Sequence, residues 1–339
     1  MPTQKLFGPL SYTSAEIAEE YEASAATETG TERLESLGLA AREWIEDGSH
    51  ERALALFDEV AAARPTFRKL KWLLPDYASA LFTAGRTEEA WAAVEAAEKY
   101  ARKGGCSSVY DDLGDCMAEA GYLERALRYY TAALELLPDE EEDPEDLAFS
   151  LCRIRAARYR VRERLGPSRE DDRSARVEAC LEAVGNAGAG HPPGDRTAPE
   201  GAEAARRGLS ASLAAMVGVT DPTDLCSPAH LVLKLSEKRD EWRLVLSESG
   251  PFAMLLRVTT PAPRRIRRLR VEPVEPAATD TERAILDTVL EAGRTLVRAE
   301  DAEAAVTWSG PLGEPVDGSL YQALFGTLPG TGAGLPWHC

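Results

Sequence analysis

Side chains able to make or break bonds are few in this chain and widely spaced. The four histidines, His50, His191, His230 and His338, could serve as general bases or metal ligands, but none has a partner at catalytic or ligand spacing. The last two residues, His338 and Cys339, read as a free tail. Cys106, Cys116, Cys152, Cys180, Cys226 and Cys339 include no pair two residues apart. A zinc site and a disulfide framework are therefore both unexpected, and the thiols suit burial or idleness in a reducing cytoplasm. The glycines of residues 185–204 make no phosphate loop, since no Lys–Ser/Thr follows and no strand precedes. No catalytic residue, cofactor or metal ion is expected.

Arginine offers the other chemistry. Six arginines fall between Arg153 and Arg164, on a stretch whose apolar residues Leu147, Leu151, Ile154, Ala157, Val161 and Leu165 recur every three or four positions. They could bind phosphate or an acidic peptide. The preferred reading is a solvated helix face pairing with the acidic run PDEEEDPED (138–146) before it. Residues Arg264 to Arg270 interleave arginines with two apolar residues, but Glu272 and Glu275 follow and no stacking aromatics accompany them. A charge-protected sheet edge explains them more simply, and nucleic acid is not an expected partner.

Charge separates the two halves of the chain. Of 57 acidic and 39 basic residues, 31 and 14 lie before Leu147, so almost all of the −18 net charge belongs to the first half. Such a field repels nucleic acid and attracts basic segments. No apolar run reaches the roughly 20 residues that span a bilayer, and the start lacks a secretion signal. A cytoplasmic location and no membrane partner follow as expectations. Arginine outnumbers lysine by 32 to 7, which hints at a GC-rich, bacterial source.

These residues have to be positioned by a pattern written three times. LGLAAREWIEDGSHERALALFDEVAAARP (37–65), LPDYASALFTAGRTEEAWAAVEAAEKYAR (74–102) and YDDLGDCMAEAGYLERALRYYTAALELLP (110–138) align on Gly48, Gly85 and Gly121, at intervals of 37 and 36 residues. Each copy places a small residue (Ala41, Ala78, Gly114) one turn before a large apolar one (Trp44, Leu81, Met117). After the glycine comes a second helix with Ala53, Ala90 or Ala126, then Phe57, Val94 or Tyr130, then Val60, Ala97 or Ala133. Pro65 and Pro138 are expected to stop that helix in the first and third copies.

The small–large–Gly–small–aromatic–small–Pro order resembles the tetratricopeptide repeat, over roughly a third of the chain, with two or three extra residues per unit against the usual ~34. The resemblance implies an α-solenoid of helix–turn–helix repeats and a concave groove lined by the first helices, where partner peptides lie. Carried onto this sequence, the groove positions are Glu35, Arg42 and Glu46, then Trp72, Ser79 and Phe82, then Ser108, Asp111, Asp115 and Glu119. They describe an acidic trough with an aromatic patch at its middle. Trp72 and Phe82 would anchor a partner while Glu46, Asp115 and Glu119 select its basic residues. The Asn and Lys with which some family members grip C-terminal carboxylates are missing, the only asparagine being Asn186.

The expected fold is mainly α. A repeat domain (1–184) opens with an acidic capping helix near Ser14 to Thr29 and closes with a diverged fourth unit containing the Arg153–Arg164 helix. A flexible linker (185–204), a small α+β domain (205–330) and a flexible tail (331–339) follow. In the α+β domain LVLKLSE and EWRLVLSES read as a hairpin, FAMLLRVTT and RRIRRLRVEP as strands, and TERAILDTVLEAGRTLVRAE as a helix capped by Asp280 or Thr279. A last strand is expected near Ala304 to Trp308. The expected function is that of an adaptor binding a basic or apolar-basic protein segment. The alternatives are a ligand-sensing or enzymatic second domain regulated by the repeats, and a nucleic-acid-associated regulator.

Overall fold

Helix formation begins at Thr13, whose hydroxyl accepts the Glu16 N–H at 3.3 Å while the Glu16 carboxylate accepts the Thr13 N–H at 2.8 Å. That reciprocal pair satisfies two orphan donors at the start of α1 (Ser14–Thr27). The computed structural model describes residues 13–63, 69–140, 143–166, 176–182, 202–220, 230–237, 240–247, 251–259, 270–309 and 315–325. It divides into two units, Met1–Glu140 and Glu141–Cys339. The chain is mainly helical, with a small mixed sheet in the second unit.

The first unit holds three helical hairpins: α2 (Gly30–Glu46) with α3 (His50–Ala62), α4 (Leu74–Thr83) with α5 (Thr87–Gly104), and α6 (Ser107–Glu119) with α7 (Leu123–Glu140). One short turn closes each. Gly48, Gly85 and Gly121 have φ of 82°, 74° and 84°, which a side chain would oppose. The N–H of the next residue returns to the carbonyl of the large apolar residue five back: Ser49 to Trp44 at 2.8 Å, Arg86 to Leu81 at 2.9 Å, Tyr122 to Met117 at 2.8 Å. Helix α4 also touches both α2 and α6, so the first helices of the three copies are neighbours, and α1 packs on α2.

The small positions are contacts. Ala41, Ala78, Ala53, Ala90, Ala126, Ala97 and Ala133 are fully buried, with Phe57, Val94 and Tyr130 beside them in the core. At Gly114 a β-carbon would lie 2.5 Å from the Tyr130 ring. That ring is buried and its hydroxyl donates to Asp115 at 2.5 Å, so it has nowhere to swing. Gly114→Ala should therefore destabilise the unit by about 1–3 kcal/mol through overpacking. A thermal melt of the variant within a degree of wild type would refute the close contact.

Pro138 does not stop its helix as expected; α7 runs on to Glu140. Both Glu140 carboxylate oxygens accept the Ser107 N–H, at 3.0 Å each, and this contact with the start of α6 holds the last turn. Pro65 lies outside the described residues.

In the second unit Asp143 caps α8 (Pro144–Leu165) by accepting the N–H groups of Glu145 at 2.8 Å and Asp146 at 3.3 Å. The acidic run thus ends as a helix start, where negative charge is favoured. Helix α8 was expected in a fourth repeat; it belongs to the second unit and packs on α10 (Asp280–Glu291). After a helical segment at 176–182 comes α9 (Ala202–Ala214), and the expected linker otherwise lies outside the described residues.

Strands β1 (Gly218–Thr220), β2 (His230–Glu237), β3 (Asp240–Ser247), β4 (Phe252–Thr259) and β5 (Arg270–Pro273) pair antiparallel in chain order. The expected hairpin forms, closing at Glu237 opposite Asp240. A short β6 (Thr295–Leu296) runs parallel to β4. The apolar runs of β3 and β4 do not alternate with polar residues because both faces are covered. Leu244, Leu246, Ala253 and Leu255 pack against α9 and α10, whereas Val245, Met254 and Leu256 meet Val306, Leu320 and Leu324 on the other side. Those last residues come from β7 (Ala305–Ser309), paired with β8 (Pro315–Ser319), and from α12 (Leu320–Phe325). Thr279 caps α10 with a second reciprocal box to Glu282. The helix ends at Glu291 and not near 300, because Gly293 turns the chain at φ 72° before β6 and α11 (Ala299–Ala302). Most of the arginine-rich strand expected at 264–273 lies outside the described residues; 270–273 form β5.

Candidate functional site

The face made by α2, α4 and α6 carries one guanidinium among carboxylates. Arg42 of α2 reaches across to Asp112 of α6, Nη2 to Oδ1 at 3.2 Å, while its Nε stands 3.7 Å from Oδ2 of Asp76 on α4. The second distance is too long for a hydrogen bond, so the attraction there is Coulombic. Burial pulls the Arg42 pKa down, but Asp76, Asp112, Glu46 and Glu43 outweigh it and the guanidinium stays firmly charged. Asp76 is the most enclosed carboxylate of the group, its side chain 16% exposed. Burial pushes its pKa up to about 7; Arg42 opposes the rise, and Asp112, Glu46 and Glu119 add to it. One cation shared among four acids does not neutralise the face.

The expected groove residues divide between this face and other surroundings. Glu46 and Glu119 are exposed and close enough to Asp76 to raise its pKa. Ser79 donates to Glu119 at 2.8 Å and so links α4 to α6. Glu35 is exposed on α2. Asp115 is exposed but takes the Tyr130 hydroxyl, and Ser108 lies 3.3 Å from the Cys106 sulfur. Asp111, expected on the open trough, is instead buried at 1% exposure, because it sits on the inward side of α6 with Tyr110 and Gly114.

The aromatic patch is also redistributed. Trp72 lies in a short 3-10 turn (Lys71–Leu73) ahead of α4, off the first helix where it was expected, and is half-buried against the core around Leu34, Trp44 and Phe57. Phe82 packs edge-on to Trp91 at 5.2 Å between centroids and lies 5.6 Å from Tyr122, with Trp91 and Tyr122 at 4.8 Å. A recess of about 280 Å³ opens beside them, lined by Ser79, Phe82, Glu119 and Tyr122 among others.

Sequence reasoning missed Asp76, Asp112, Trp91 and Tyr122. A signal for the first two was present, since Asp76 and Asp112 stand 36 residues apart, the interval from Gly85 to Gly121. Trp91 meets Phe82 across the turn of its own hairpin, whereas nothing local marked Tyr122, whose ring partners come from the preceding copy.

The arginine-rich helix has a different fate from either reading given to it. Arg158 is buried, with Nη2 at 2.7 Å from Asp287 Oδ2 and 3.0 Å from Glu291 Oε1. Arg162 meets Asp287 Oδ1 at 2.6 Å, Arg155 pairs with Glu291, and Arg160 meets Asp280 at 2.9 Å. These four arginines clasp α8 to α10. They are neither a solvated face paired with the acidic run nor an open phosphate site, because the carboxylates that claim them lie more than a hundred residues away in sequence.

Three of the described thiols are shifted away from reactivity. Burial pushes the Cys116 and Cys152 thiols above their ordinary range and Cys180 up to about 11, the reverse of the shift a reactive thiolate needs. Among the described residues no group of three or more His, Cys, Asp or Glu is arranged to hold a metal ion, and no helix is long and apolar enough to cross a membrane. Compared with family models, with curated proteins and with solved structures, the chain matches none.

Proposed function

We propose that the chain is an adaptor of the cytoplasm, whose first unit is a short tetratricopeptide-type α-solenoid that docks a basic segment of a partner protein. The observation that carries this reading is the face of α2, α4 and α6, where Asp76, Asp112, Glu46 and Glu43 surround Arg42, and Glu119 adds a further negative charge beside Asp76. A field of this sign draws basic partners and raises their rate of encounter. Helical hairpins held together at buried alanines present that face ready-made, so little ordering free energy is lost on binding. Of the two expected anchors, Phe82 stands beside the recess and is the better placed, whereas Trp72 serves the core of the unit as well.

The test is calorimetric titration of the full chain with a short peptide of alternating arginine and alanine. Binding should weaken several-fold between ~50 mM and ~500 mM salt, as screening shortens the reach of the field. Reversing one exposed charge, Glu46→Lys, should weaken it by roughly tenfold, because a like charge then faces the peptide. Affinity unmoved by both salt and Glu46→Lys would end the proposal.

A further inference from the structure

The recess at the end of the acidic face has a composition of its own. Two aromatic rings, Phe82 half-buried and Tyr122 37% exposed, line it together with the small or polar Thr83, Thr87, Cys116 and Ala120, and it also carries the Glu119 carboxylate, which accepts a hydrogen bond from the Ser79 hydroxyl. At about 280 Å³ it falls just below the ~300–1,000 Å³ of small-molecule sites, a size that suits one inserted side chain. Asp76 stands close enough to the same carboxylate for the two charges to act on each other. The neighbouring ring already shows which group fits such walls, since the Arg125 guanidinium lies over Trp91 at 4.3 Å from its centroid. Arg52 lies over Trp44 in the same way, at 4.0 Å.

We infer that this recess is an arginine socket, which takes one guanidinium of the docked partner against the Phe82 and Tyr122 rings with Glu119 as its counter-ion. A planar guanidinium is the side chain that both stacks on aromatic faces and forks a carboxylate, whereas an ammonium does only the ionic part. Ser79 is a positioning residue here, fixing the Glu119 rotamer before the partner arrives. The inference rests on the docking reading above and names where one basic side chain of the partner goes.

The same alternating arginine peptide, its lysine version and its citrulline version serve as probes, with circular dichroism confirming that each variant folds. Glu119→Gln and Tyr122→Ser should each weaken the arginine peptide by about fivefold to tenfold, while Glu95→Gln, at an exposed site on α5, leaves it unchanged. The arginine version should bind more tightly than the lysine version, citrulline should bind least, and the Trp91 indole resonance should move as the arginine peptide is added. If Glu119→Gln and Tyr122→Ser bind like wild type while Glu46→Lys still weakens binding, the socket is overturned and the acidic docking face stands. If the wild-type chain binds no arginine peptide at all, both fall together.

Discussion

Asp287→Ala is expected to destabilise the second unit by about 3–5 kcal/mol, the loss typical of removing one partner from a buried ion pair. Asp287 is fully buried on α10, and its two oxygens are engaged by Arg158 at 2.7 Å and Arg162 at 2.6 Å, with Arg155 at 3.6 Å. Alanine would take from the Arg158 guanidinium, itself almost wholly enclosed, its buried counter-charge, while the Glu291 that it also meets is half-exposed. The damage comes from the stranded cation more than from the lost bond. Replacing Arg158 and Asp287 together, by methionine and leucine, should therefore cost much less than Asp287→Ala alone. Denaturant unfolding read by hydrogen exchange of the α10 amides would measure both. A loss under about 1 kcal/mol for Asp287→Ala would mean that water reaches Arg158.

Between pH 4 and pH 7 the first unit should lose stability as pH rises, and Asp76 is the reason. Its folded pKa of about 7 lies above its ordinary value of 3.8, chiefly because burial disfavours the carboxylate. Below pH 4 the carboxyl is protonated both folded and unfolded, and it contributes no pH dependence. From pH 4 to pH 7 the unfolded chain has released the proton and the folded chain still holds it, so each step upward favours unfolding. Above pH 7 the penalty is complete and constant. Moving the carboxyl from 3.8 to about 7 corresponds to a penalty of up to roughly 4 kcal/mol. Asp76→Asn should flatten this slope and leave the unit more stable than wild type at pH 8. Thermal melts of the two proteins across pH 4 to 8 would show it, and parallel profiles would remove Asp76 as the cause. The same titration bears on docking, since protonated Asp76 subtracts a charge from the acidic face and a basic peptide should bind more weakly at pH 6 than at pH 8.

What could be read from sequence was local. Gly48, Gly85 and Gly121 mark turns because only glycine takes a positive φ without strain, and the hairpins close where those glycines stand. Ala53, Ala90 and Ala126 mark close helix approach because helical periodicity puts them on one face with Phe57, Val94 and Tyr130. The runs of β2, β3 and β4 were legible from their β-compatible apolar residues and bounding turns. Such patterns say that a face will be buried and leave open what buries it. That is why the amphipathic helix of Arg153 to Arg164 read as the close of the array, while the tertiary structure commits it to α10 through Asp287 and Glu291. The meeting of Arg42 with Asp76 and Asp112, and of Phe82 with Tyr122, joins residues of different hairpins, and only the docking of hairpin on hairpin decides it. Asp111 and Asp112 make the distinction plainest. They are adjacent, identical in chemistry and indistinguishable as letters, yet a helix turns each residue by about 100°, which sends one into the core and leaves the other to hold Arg42.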